Sequence, residues 1–327
     1  MIKEYTIRNN YLEATFINLG ASITKLIDLE TGINVILGHH DYETYMSNPG
    51  CMNAVIGRHA GRIQDFYLDG NLIELPKTDN PIFQLHGGAK SFMYQYFEVV
   101  DVKADTITFA YTSPDGEGGY PGNVDFSITY KLVNNELHLH YNATSDKKTL
   151  MNFTNHAYFN LNDDKNIKIL NHELYINADY YIELDEKLVP LSKAPVANTP
   201  LDFRSYKPIG QDIYANHHML TYGLGYDLPY LINKTEDLTH VAKVYSPQSG
   251  LVLDVFSDQE VVVFYAGCQI DESMLLNDGM KGHQYAGFCL ELQGVPNSPN
   301  IEEFKNKNIY EPNEVYQQTT IWRISHR

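Results

Sequence analysis

Val124-Asp125-Phe126-Ser127-Ile128-Thr129-Tyr130-Lys131-Leu132, a turn through Asn134-Asn135, and Leu137-His138-Leu139-His140-Tyr141 together set the fold class. Every second residue on both sides of the turn is apolar. A period of two is the signature of strands with one face on a core, so the stretch predicts a long β-hairpin. The other face carries Asp125, Ser127, Thr129, Lys131, His138 and His140. The two histidines on it read as solvated or cross-strand partners.

The same punctuation extends in both directions. Toward the N-terminus, Tyr5-Ile7, Asn9-Asn10 and Leu12-Phe16 predict a hairpin, and strands are expected over 21–28 and 34–37. Phe66-Tyr67-Leu68 and Leu72–Leu75 flank Asp69-Gly70, the residue pair that favours a tight turn with positive φ. Ile107, Phe109 and Tyr111 alternate with Thr106, Thr108 and Ala110. Toward the C-terminus, residues 177–208 contain Pro190, Pro195 and Pro200 and read as a long excursion that keeps its aliphatic and aromatic residues. Leu251–Phe256 and Val261–Tyr265, joined by Ser257-Asp258-Gln259, predict a hairpin covered on both faces, because its apolar run is nearly continuous. Gly287–Gln293 and Thr319–Ile324 are the last strand candidates. No amphipathic helix exceeds about three turns, and no glycine-rich phosphate loop is present. The expected architecture is all-β: a large antiparallel β-sandwich with a few short helices, residues 1–327 forming a single domain.

Composition narrows the partners. A formal charge of -17 would repel nucleic acid and anionic membranes, and a neutral small ligand is compatible with it. The residues from Met1 to Ile7 do not resemble a signal peptide, and no apolar run reaches the ~20 residues of a membrane helix, which predicts a cytoplasmic protein. Cys51, Cys268 and Cys289 are odd in number and far apart, which suits reduced thiols. The 25 Tyr and 14 Phe serve strand packing and sugar stacking equally well.

Candidate chemistry begins at Thr154-Asn155-His156-Ala157-Tyr158-Phe159-Asn160-Leu161. His156 stands among rings and amides without a second ligand in metal spacing. It is either a proton carrier or a core histidine bonded to backbone. Glu291, between Leu290 and Leu292, is either a buried carboxylate with a raised pKa or an edge residue turned to water by alternation. That alternation also places Cys289, Glu291 and Gln293 on one face. His86 precedes Gly87-Gly88, where the backbone can turn sharply or approach a ligand. Arg58 and Arg62 are four apart and share a face in either a helix or a strand. Asp227 closes a glycine-punctuated loop, a place where turn chemistry is common.

Ile56-Gly57-Arg58-His59-Ala60-Gly61-Arg62-Ile63, Leu85-His86-Gly87-Gly88, Gly119-Tyr120-Pro121-Gly122, Thr154–Leu161, Asp202-Phe203-Arg204 and Gly287–Gln293 occur in the order seen in the aldose 1-epimerase (galactose mutarotase) family. The resemblance spans nearly the whole chain. It implies a sugar cleft across one sheet, with no metal or organic cofactor. Glu291 matches the family's general base and His156 its general acid, while Arg62, His86 and Asp227 match sugar-binding positions. Gly61, Leu228 and Val263 depart from the pattern, where the family usually has Asn, His and Gln; these leave the preferred aldose open. The implied chemistry is interconversion of α and β anomers of free aldoses such as galactose and glucose, the two proton carriers facing each other across one ring. Competing readings are a glycoside hydrolase using Glu291 and Asp227, a non-catalytic carbohydrate-binding protein, and a sugar-phosphate epimerase with Arg58 and Arg62 on the phosphate.

Overall fold

The computed structural model describes residues 1–77 and 80–327. Two antiparallel sheets dominate. A nine-stranded sheet runs, edge to edge, Lys207–Pro208, Glu173–Ile176, Thr239–Tyr245, Leu251–Ser257, Tyr316–His326, Glu136–Ser145, Val124–Val133, Thr106–Ser113 and Glu98–Val102. A six-stranded sheet runs Tyr158–Phe159, Phe288–Gln293, Val261–Tyr265, Asp227–Leu231, Tyr180–Leu184 and Pro190–Pro195. The β-rich architecture expected from the sequence is the one observed.

The hairpin of Val124–Val133 and Glu136–Ser145 lies where its alternation puts it, with Val124 opposite Ser145 and Val133 opposite Glu136. Its apolar face joins a core shared with the six-stranded sheet, which contributes Phe264, Leu290 and Leu292. His138 meets Glu136, two residues back on its own strand, at 2.7 Å, and His140 meets Thr319 across the strand boundary at 3.3 Å, so only His140 is a cross-strand partner. The N-terminal strands Glu4–Arg8, Leu12–Ile17 and Ser22–Asp28 form a separate small sheet whose Phe16 packs on Tyr130 at 4.4 Å. At the Phe66–Ile73 hairpin, Asp69 and Gly70 both have positive φ, as their turn requires.

Three expectations need correction. Residues 34–37 make isolated bridges through Asn34 and Ile36, not a strand. Leu251–Ser257 and Val261–Tyr265 are not a hairpin: the first pairs with Tyr316–His326 in the larger sheet, the second with Phe288–Gln293 in the smaller. All residues of the two strands except Phe256 and Val263 are buried, and such continuous apolarity does not reveal the partner. Lastly, the proline-containing excursion holds the paired strands Tyr180–Leu184 and Pro190–Pro195. Pro190–Pro195 is the outermost strand of the six, where a missing N–H costs no ladder bond.

Arg58 is structural. Its guanidinium is 2 % exposed and donates to Ser113 Oγ at 2.8 Å and to the carbonyls of Ser113, Pro114, Pro121 and Gly122 within 3.0 Å. It therefore has no donor left for a phosphate, which removes its part in the sugar-phosphate reading. Arg58→Ala is expected to lower unfolding free energy by about 3 kcal/mol or more, because several buried carbonyls lose their donor. Urea unfolding followed by tyrosine fluorescence measures it.

Candidate active site

Glu291 owes its position to strand parity. Leu290 and Leu292 point into the core between the sheets, so Glu291 projects from the opposite face while remaining only 3 % exposed. Across the strands Glu291 lies opposite Val263, and Val263 opposite Pro229. One step along, Cys289, Tyr265 and Asp227 make the next row, with Tyr158 opposite Cys289. Asp227 thus enters the cleft from the fourth strand by the same alternation.

His156 lies two residues before Tyr158, where the first strand of that sheet begins. Its backbone is clamped on both sides, with His156 N–H donating to Ala54 O at 3.0 Å and Asn53 N–H donating to His156 O at 2.9 Å. The ring stacks on Tyr158 at 5.2 Å and meets the edge of His86 at 5.3 Å. Nε2 lies 3.6 Å from Glu291 Oε1, and Nδ1 lies 3.5 Å from Cys289 Sγ. Arg62 and His86 arrive on a small strand pair in which Arg62 sits opposite Leu85. Gly61 ties the pair to the site: its N–H donates to His86 Nδ1 at 3.1 Å, and its carbonyl accepts from His86 N–H at 3.1 Å. Arg62 faces Asp227 at 3.9 Å.

These side chains line a cavity of about 200 Å³ together with the apolar Leu184, Leu188, Pro190, Pro229 and Val263. All five residues expected from the sequence, Glu291, His156, Arg62, His86 and Asp227, line it. Gly61 and Val263, two of the departures from the family pattern, line it as well. Leu228 does not; its side chain is 1 % exposed on the core side, paired with Phe264. The walls supplied by Leu184, Leu188 and Pro190 were hidden in the proline-containing stretch. Cys289 and Gln293 carried a signal, since alternation put them on the Glu291 face, but nothing in the sequence gave them a role.

Burial dominates the electrostatics. It lowers His156 to about 4 from its ordinary 6.5, and it raises Glu291 well above the usual carboxylate range, aided by Asp227 and opposed by Arg62. Each group therefore leans to its neutral form. Above the lowered His156 value, with His156 neutral and Glu291 still protonated, the pair holds one proton. Burial also lowers His86, together with the charges of His156 and Arg62, and it raises Asp227 against the pull of Arg62. Glu291 Oε2 is buried without a hydrogen-bond partner, an acceptor awaiting a donor.

Donor atoms of His86, His156 and Glu291 all fall within 4.8 Å of one another, a spacing that a metal ion can bridge. The hydrogen bonding of His86 argues against it. Its Nδ1 accepts from Gly61 N–H, so the neutral ring carries its proton on Nε2 and offers a cation no bare nitrogen. The group is better suited to handing protons to and from an organic hydroxyl.

A buried carboxylate beside an imidazole, with further polar side chains and apolar residues lining one cavity, suits a polyhydroxylated ligand. The aldose 1-epimerase family model matches residues 3–323. Galactose mutarotase from Rattus norvegicus is 32% identical over 330 residues, covering 99% of this chain and 94% of that protein. Among solved structures, an aldose epimerase homologue from C. elegans superposes with TM-score 0.90 at 26% identity, covering 100% of this chain and 99% of that one. Galactose 1-epimerase from Lactobacillus acidophilus gives TM-score 0.87 at 26% identity, covering 100% and 98%. The chain belongs to the aldose 1-epimerase family.

Proposed function

We propose that Glu291 and His156 are the proton carriers of an aldose 1-epimerase that interconverts the α and β anomers of free aldoses such as galactose and glucose. The observation that carries this assignment is the 3.6 Å approach of His156 Nε2 to Glu291 Oε1, with Glu291 Oε2 left unpartnered at the cavity. The two groups do not straddle a sugar ring from opposite sides, as the sequence suggested. They are side by side, which suits two oxygens bonded to the same carbon, the C1 hydroxyl and the ring oxygen.

In the forward step Glu291 removes the C1 hydroxyl proton. The electron pair of that O–H bond becomes the second bond of a C1 carbonyl, the C1–O5 bond breaks, and O5 takes the proton from His156. Rotation about C1–C2 and the reverse transfers close the ring on the other face. No redox equivalent or water is consumed. The resting proton favours Glu291; the hydroxyl donors that the sugar brings to Oε2, together with Arg62, stabilise the carboxylate and shift the proton toward His156. Arg62 and Asp227 hold further hydroxyls. His86 donates from Nε2 to a sugar oxygen, the sense its tautomer dictates.

A glycoside hydrolase built on Glu291 and Asp227 is disfavoured, because Asp227 faces Arg62 and the partner at Glu291 is an imidazole. NMR exchange spectroscopy of equilibrated galactose and glucose tests the reading. Added protein is expected to raise α–β exchange far above the buffer rate. No increase, or release of reducing ends from oligosaccharides, contradicts it.

The pH profile has a definite form. Activity needs one proton on the pair. It falls on the acid side, where His156 gains a second proton near its lowered value of about 4, and on the alkaline side, where Glu291 loses the last one well above the ordinary carboxylate pKa. The predicted plateau in kcat/KM therefore begins well below the usual histidine pKa. An acid limb centred near 6.5 contradicts this.

A further inference from the structure

Among the polar atoms around the cavity, three are buried with no hydrogen-bond partner: Arg62 Nε, Glu291 Oε2 and Gln293 Oε1. The first two belong to residues with a role above. Gln293 has none. It is fully buried and follows Glu291 by two positions on the same strand face. Its amide nitrogen donates to Ala60 O at 3.3 Å and to Gly294 O at 3.4 Å. With both N–H groups committed to backbone carbonyls, the amide has a fixed orientation, and its oxygen can only accept. A buried acceptor without a donor is costly, and such groups concentrate where a ligand completes them.

Gly61 keeps the approach open. It has φ +85°, and a Cβ there would stand 2.9 Å from Pro296 Cβ and 3.6 Å from Gln293 Nε2. The asparagine that the family resemblance leads one to expect at this place would stand between the amide and the cavity. Without it, Gly61, Gln293 and Pro296 form one continuous part of the wall.

We infer that Gln293 is a specificity-determining residue: its Oε1 accepts a hydrogen bond from one hydroxyl of the bound aldose and so selects for a hydroxyl at that carbon over hydrogen. The inference rests on the epimerase reading and adds a contact to it. A hydroxyl away from C1 is gripped equally before and during ring opening, so the contact acts on KM more than on kcat.

The test uses the full chain with galactose and its 2-, 3-, 4- and 6-deoxy derivatives, read by NMR exchange. Gln293→Met is expected to raise KM for galactose about tenfold and to change kcat by less than about twofold. For one deoxy sugar, the wild-type protein already shows the raised KM and the substitution adds nothing. Gln293→Glu, measured at acidic pH where the buried carboxyl is protonated, donates its one O–H toward the Ala60 and Gly294 carbonyls, retains an acceptor at the same reach and keeps the discrimination at that carbon. An equal loss by Gln293→Met on all five sugars means that the residue only props the Ala60 and Gly294 carbonyls, and overturns the inference; so does an unchanged KM. Should Gln293→Met not fold, loss of the discrimination in Gln293→Glu overturns it instead. Absence of wild-type exchange on every sugar defeats the epimerase reading itself, an outcome distinct from active wild type with indifferent variants.

Discussion

Glu291→Gln is expected to slow anomer exchange by about 10²-fold or more, the lower end for one positioned proton carrier, and to leave the protein folded with a raised melting temperature. The two effects have one cause. Glu291 is 3 % exposed, and burial raises its pKa. In the unfolded chain the carboxyl ionises at its ordinary value, so from there upward in pH the folded state must either retain a proton that the unfolded state releases or bury a charge. Its stability contribution is thus complete below the unfolded pKa and is lost as pH rises through the folded one. Glutamine keeps the shape and removes the ionisation, so the gain should be largest at neutral pH and vanish near pH 4. Calorimetric scans across that range check it, and a melting temperature that drops at pH 7 speaks against the burial argument. Natural sites commonly sacrifice stability to hold such groups.

His156→Asn is expected to lower kcat by about 10²–10⁴-fold, with KM changed far less, because ring-opening needs an acid at O5 more than ground-state binding does. Its pH dependence separates this from structural damage. Burial lowers His156 to about 4, so the wild-type acid limb belongs to this ring and should disappear in the variant. Stability moves in the opposite sense to that of Glu291. A histidine with a lowered pKa contributes stability above its unfolded value of about 6.5 that is lost as pH falls, so the variant should resist acid better than the wild type. Persistence of the acid limb in His156→Asn assigns it elsewhere and weakens the role given to this residue.

How far the sequence could be read depended on what each strand faces. The 124–141 hairpin was legible because one side is wet, and alternation then reports both strand type and orientation. In Leu251–Tyr265 both sides are dry, the period is lost, and the crossing between sheets could not be seen. Pro190 and Pro195 masked an edge strand, since proline is tolerated where no neighbour needs its N–H. At the site, His156 and Glu291 each had an ordinary structural explanation in isolation. The family resemblance joined them, and their 3.6 Å separation places them side by side. What no local string conveys is burial strong enough to push both groups toward their neutral forms, or the unpaired oxygens of Glu291 and Gln293.

The central claim is that one proton is shared by two side chains acting as a unit. It is tested most directly by anomer exchange in Glu291→Gln, His156→Asn and the double variant, measured side by side on galactose. Residues that act together are not additive: the double variant is predicted to be no slower than the slower single by more than about threefold. Two large losses that multiply in the double variant, or near-normal exchange in either single variant, would contradict the account.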